Sequence, residues 1–118
     1  MKVAIVGSRN VTNYELVKKY LDSIKINEIA TYIISGGAKG VDTLAQRYAK
    51  ENGIEMLVFK AEWDKYGKSA GFVRNEKMIR NSDIVIAIWD GVSRGTKNSI
   101  NWASKLKKPL YVYTRGSK

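Results

Sequence analysis

Five short apolar runs divide the chain, and most of them stop at a turn-forming residue. Val3-Ala4-Ile5-Val6 ends at Gly7, Tyr32-Ile33-Ile34 ends at Ser35-Gly36, and Ile84 to Trp89 ends at Asp90-Gly91. Met56-Leu57-Val58-Phe59 follows a turn at Gly53, and Leu110-Tyr111-Val112-Tyr113 follows Pro109. Continuous apolar runs of this length suit strands covered on both faces. Between them the spacing becomes helical. Leu16, Val17, Tyr20, Leu21 and Ile24 share one face, with Thr12 or Asn13 placed to cap it. Val41, Leu44, Ala45, Tyr48 and Ala49 form a second face, closed at Asn52-Gly53. Val73, Met78 and Ile79 predict a shorter third helix, and Ile100, Ala103 and Leu106 a fourth that stops before Pro109.

Strands alternating with helices predict a parallel sheet covered on both faces. With right-handed crossovers, the expected fold is a small Rossmann-like α/β domain over residues 1–118. It has three layers, a five-stranded parallel sheet in order 3-2-1-4-5 and about four helices. The longest irregular stretch, Lys60 to about Ala70, is long for a strand–helix connection and marks a functional loop.

In such a sheet, ligands bind beyond the carboxyl ends of the strands, where the strand order reverses. That point lies between the first and fourth strands. Gly7-Ser8-Arg9-Asn10 follows the first strand, and Ser35-Gly36-Gly37-Ala38-Lys39-Gly40 follows the second. Asp90-Gly91 follows the fourth, and Ser93-Arg94-Gly95-Thr96 opens the last helix. The glycines either make tight turns or let the main chain approach a ligand. In the second case Gly36, Gly37 and Gly40 would offer one helix start to an anion, Gly95-Thr96 a second, and Arg9 would lie nearby. Asp42 either complements its helix dipole or binds a ribose hydroxyl. Asp90 either shapes the Asp-Gly turn or works on a ligand. Arg9 and Arg94 are surface charges or anion ligands, and Trp63, Trp89 and Trp102 line the core or stack on bases.

Composition narrows the chemistry. With no cysteine and no histidine, disulfides, Cys/His zinc sites, a cysteine nucleophile and a histidine base are all excluded, and no metal site is expected. Lys and Arg number 21 against 11 Asp and Glu, a net charge of +10 that favours anionic partners or simply solubility. No apolar run approaches the ~18 residues of a membrane span. The five apolar residues before Gly7 are too few for a signal peptide. A cytoplasmic protein without membrane contact is the expectation. Two near-motifs fail. Gly67-Lys68-Ser69 imitates the end of a P-loop, but Glu62 stands where that motif needs its first glycine. The spaced-glycine dinucleotide fingerprint is absent, which argues against an NAD dehydrogenase.

"VGSR", "SGGAKGVD", "WDKYGKSAGFVRN" and "WDGVSRGTKNSI" together resemble the small YspA/YpsA-related branch of the SLOG superfamily, which groups the Smf/DprA proteins with the LOG phosphoribohydrolases. The resemblance runs from about Met1 to Tyr113. It implies a nucleotide-binding pocket at Gly7, Ser8, Arg9, Ser35, Gly36, Gly37, Gly40, Asp42, Arg74, Asn75, Asp90, Gly91, Ser93, Gly95 and Thr96. LOG enzymes use an arginine and a glutamate three residues after a Gly-Thr pair, but Ser99 occupies that position here. Any catalytic candidates are then Arg74, Asp90 and Glu76. Self-association as a homodimer is a further implication of the resemblance, with Tyr14, Tyr20 and Trp102 open to that role or to the core.

Three functions follow in order. The first is binding of a nucleotide or nucleotide-derived ligand, ADP-ribose-like, as a sensor or accessory module, with Trp89 or Trp63 over the base. The second is nucleotide N-glycoside hydrolysis in the same pocket. The third is single-stranded DNA binding, with stacking on Trp63 or Trp102.

Overall fold

The apolar runs become β1 (Lys2–Gly7), β2 (Tyr32–Ser35), β3 (Glu55–Val58), β4 (Ile84–Trp89) and β5 (Leu110–Thr114). In the computed structural model, which describes residues 1–37 and 39–114, they pair in parallel in the order β3-β2-β1-β4-β5. The four expected helices are α1 (Tyr14–Ser23), α3 (Val41–Glu51), α5 (Ala70–Arg80) and α6 (Arg94–Lys105). Two one-turn helices join them, α2 (Ile26–Ile29) and α4 (Trp63–Tyr66). The Lys60–Ala70 stretch, expected to be irregular, therefore carries α4 and a 3₁₀ turn at Gly67–Ser69.

Alternation along each strand divides the interior into two layers. Val3, Ile5, Ile33, Ile84, Ile86 and Ile88 point to one side and meet Val17, Leu21, Ala45 and Tyr48 of α1 and α3. Ala4, Val6, Ile34, Val85 and Ala87 point to the other and meet Met78, Ile79 and Ala103 of α5 and α6. Every one of these strand residues is 6 % exposed or less, because helices cover both faces. The edges differ. Val58 of β3 and Tyr111 and Val112 of β5 remain exposed. Tyr113 of β5 stacks on Tyr20 of α1, with ring centroids 4.7 Å apart.

The chain ends of the helices follow local rules. Asn13 caps α1, its side-chain oxygen accepting from the Leu16 N–H at 3.2 Å. Gly53 closes α3 with φ +65°, while the Ile54 N–H donates to the Ala49 carbonyl at 2.8 Å, a Schellman arrangement. The same arrangement closes α6, where Lys108 donates to Ala103 at 2.9 Å and Lys107 to Ser104 at 3.2 Å. There the left-handed residue is Lys107, with φ +58°. The chain is not glycine at this point and bears the steric cost of a Cβ.

The strand order reverses between β1 and β4, where Gly7 pairs with Ile88. The carboxyl ends of these two strands, and the loops that leave them, form the floor of the site described next. Lys107 lies away from this edge and is exposed, so Lys107→Gly is expected to stabilise the chain by about 0.5–1 kcal/mol, since relief of the left-handed strain exceeds the added unfolded-state entropy. Urea denaturation checks it.

Candidate functional site

Gly36 answers what a bare backbone is for in this chain. It is buried, and an added Cβ would lie 2.6 Å from the Arg74 Nη1. Nη1 donates to the Gly36 carbonyl at 2.9 Å and reaches the Phe59 carbonyl at 3.5 Å. The glycine thus admits a guanidinium carried by α5. Arg74 Nε donates to the Asn75 Oδ1 at 3.0 Å, and Asn75 Nδ2 donates to the Gly95 carbonyl at 3.3 Å and to Asn98 Oδ1 at 3.2 Å. Asn75 is 6 % exposed. The Arg-Asn pair therefore ties the loop after β2 to the start of α6. Burial lowers the Arg74 pKa, the nearby Asp42 carboxylate opposes this, and Arg9 adds to it. The guanidinium still carries its charge.

Other glycines serve backbone packing. A Cβ at Gly7 would meet the Ile88 carbonyl and Val41, and one at Gly40 would collide with the backbone of Ser8 and Arg9. These two positions let the α3 start press against the loop after β1, where the Val41 N–H donates to the Ser8 carbonyl at 3.3 Å. Gly95 is different. Nothing lies within 4 Å of where its Cβ would be.

Ser8, 1 % exposed, joins the two strand ends at the switch point. Its Oγ accepts from the Asp90 N–H at 3.0 Å and lies 2.9 Å from the Ser93 Oγ, which donates to the Thr96 Oγ1 at 3.0 Å. Asp90 turns the chain, its Oδ1 accepting from the N–H groups of Val92 at 2.9 Å and Ser93 at 2.8 Å. Those two bonds hold its carboxyl below the usual aspartate range. The Ser93 side chain does not cap α6, so it satisfies none of the first amides of that helix.

A cavity of about 310 Å³ opens here, near the lower end of the ~300–1,000 Å³ typical of small-ligand sites. Of the residues expected from sequence, Gly7, Ser8, Arg9, Asp42, Arg74, Asn75, Asp90, Ser93, Gly95 and Thr96 line it. Ser35, Gly36, Gly37, Gly40 and Gly91 do not. Ser35 accepts the Gly37 N–H at 3.2 Å, Gly37 turns with φ +73° and Gly91 with φ +89°. Glu76 is also outside the lining and pairs with Arg80 at 2.8 Å on the outer face of α5. Val6, Asn10, Met78 and Ser99 complete the lining and were not singled out as ligand contacts; Ser99 carried a signal in its place three residues after Gly95-Thr96, and Asn10 in the stretch that follows the first strand. None of the three tryptophans lines the cavity. Trp89 donates its indole N–H to the Ser93 carbonyl at 3.1 Å, Trp63 is 59 % exposed on α4, and Trp102 lies between Arg80 and Lys105. Among the described residues no group of carboxylates could hold a metal, and no helix is long and apolar enough to cross a membrane.

The model of the YspA, cpYpsA-related SLOG family matches residues 1–66. The chain belongs to this family. Gene 61 protein of Mycobacterium phage D29 is 31 % identical over 116 residues, covering 92 % of this chain and 93 % of the phage protein. DNA processing protein A from Helicobacter pylori, whose structure describes a single-stranded DNA binding mode, superposes with a TM-score of 0.72 at 26 % identity. That match covers 98 % of this chain and 66 % of the other. DprA from Streptococcus pneumoniae gives a TM-score of 0.75 at 23 % identity, over 94 % of this chain and 49 % of the other. TM1055 gives 0.69 at 20 %, over 92 % and 71 %. The last two likenesses are of fold. This SLOG chain thus spans roughly half to two thirds of the DprA chains it matches.

Two outcomes test the site's construction. Gly36→Ala should destabilise the chain by about 1–3 kcal/mol by overpacking, and most of that cost should vanish in an Arg74→Ala background, read by a double-mutant cycle in urea. Asp90 should support stability fully above its unfolded pKa of ~3.9 and lose that support as pH falls through its lowered folded value. Asp90→Asn should remove this acid-side dependence of the urea midpoint.

Proposed function

We propose that this SLOG chain binds a nucleotide or nucleotide-derived phosphorylated ligand, such as ADP-ribose, in the cavity at the carboxyl ends of β1 and β4, as a sensor or accessory module. One observation carries the reading. The start of α6 has no side-chain cap, and it opens on the cavity at Gly95, where nothing occupies the space a Cβ would fill. Amides at a helix start favour a phosphate. The hydroxyl of Thr96 and the exposed Arg9 stand beside them, and charge-assisted bonds from an arginine are the stronger kind. Asp42, on the far side, suits a ribose hydroxyl.

Retention of the ligand is favoured over N-glycoside hydrolysis. The carboxylates in the lining are Asp42 and Asp90. Asp90 is committed to two backbone N–H groups, Asp42 lies in the field of Arg74, and Ser99 stands where the LOG resemblance implies a glutamate.

A second reading, single-stranded DNA binding, is favoured by the net charge of +10 and by the 26 % identity to the H. pylori DNA processing protein. Its binding would fall steeply with salt.

Titration calorimetry with AMP and ADP-ribose tests the first reading. Gly95→Val puts a side chain into the space at the α6 start, where an added Cβ meets nothing within 4 Å. It should weaken both ligands by about tenfold or more, the scale of one lost charge-assisted bond, while the melting temperature holds. Arg9→Ala should weaken them by a similar factor. Unchanged affinity in both variants removes the assignment. Oligo-dT binding that survives Gly95→Val and weakens with salt would favour the second reading.

A further inference from the structure

Arg74 lines a second cavity as well as the first. This cavity, about 270 Å³, lies between the end of β3, α4 and α5. Its charged lining is Lys60, Arg74 and Lys77 against the single carboxylate of Glu62. Tyr66 supplies an aromatic face. Lys77 pairs with Glu62 at 3.2 Å and stands 5.5 Å from the centre of the Tyr66 ring, so this wall is already organised. Phe59 and Val73 add apolar surface.

The two cavities share more than a residue name. Arg74 Nη1 lies against the carbonyls of Gly36 and Phe59, and Phe59 belongs to the second cavity. Asp42, whose charge acts on Arg74, belongs to the first. The guanidinium therefore stands at the boundary. Both cavities lie at the carboxyl-end side of the sheet, one beyond β1 and β4, the other beyond β3. A mononucleotide has no need of the second. A longer ligand with an anionic middle would run from one to the other across Arg74.

We propose that the second cavity is the subsite for the distal half of a two-unit ligand, two ribosyl groups joined by a diphosphate. This rests on the nucleotide reading of the first cavity. One ribosyl phosphate sits at the α6 start, the diphosphate crosses Arg74, and the distal base lies on Tyr66 with Lys60 and Lys77 beside it. Stacking of a base on an aromatic ring is worth a measurable fraction of such an affinity. The positive balance of the lining suits the diphosphate.

The test is titration calorimetry of the full chain with AMP and with NAD, in which two base-bearing ribosyl units are joined by a diphosphate, for the parent, Tyr66→Ala and Lys60→Glu. NAD, which carries one base more than AMP, should bind about tenfold more tightly than AMP, the scale of one stacked base. Both variants should remove most of that advantage and leave AMP affinity within about twofold, which also reports that the site still folds. Lys60 is exposed, so its replacement does not disturb the core. AMP binding with no advantage for NAD, or an advantage that survives both variants, overturns the second subsite and leaves the first standing. Binding of neither ligand overturns both.

Discussion

A guanidinium lying against a glycine carbonyl holds this edge of the sheet together. Arg74 can reach the Gly36 carbonyl only because Gly36 has no side chain, and the contact is half-buried, where a charged hydrogen bond counts for more than at the surface. From there the connection continues through Asn75 to the backbone and side chain of α6. The loop after β2, the body of α5 and the opening of α6 are thereby fixed relative to one another. Arg74 also contributes to the wall of each cavity.

A second constraint acts on the opposite side of the opening. Ser8 follows the central strand and takes part in five contacts: its amide bonds to Ile88, its carbonyl accepts from Val11 and Val41, and its hydroxyl meets Asp90 and Ser93. The glycines at 7 and 40 exist to allow this crowding. The floor of the site is thus backbone held by backbone, and the charged side chains stand at its rim. A site built in this way tolerates changes at the rim better than changes at the floor.

The strands were legible because burial on both faces leaves an unbroken apolar run, as in Val3 to Val6 and Ile84 to Trp89. The strand order followed from alternation and crossover hand, and Ser8, Arg9, Asp90, Ser93 and Thr96, placed near the switch point by that order, line one cavity. What sequence did not resolve was the work of individual glycines. Gly36 and Gly95 look alike in a motif, yet one receives an arginine and the other faces open space. That difference depends on where a side chain 38 positions away arrives. The turns α2 and α4 were also missed, because four residues carry too little periodicity to register. Asn10 belongs to the stretch marked after the first strand and lines the cavity, though it was not named as a ligand contact.

The hydroxyl row at the mouth of α6 has a direction. Ser93 has one proton and gives it to Thr96, so the proton between Ser8 and Ser93 belongs to Ser8. The amide of Asp90 points into Ser8 from behind. The four groups therefore run head to tail, from the end of β4 to the Thr96 hydroxyl. Successive donors aligned in this way polarise one another. The backbone of the central sheet is thus connected through three hydrogen bonds to the hydroxyl of Thr96, a residue of the cavity lining.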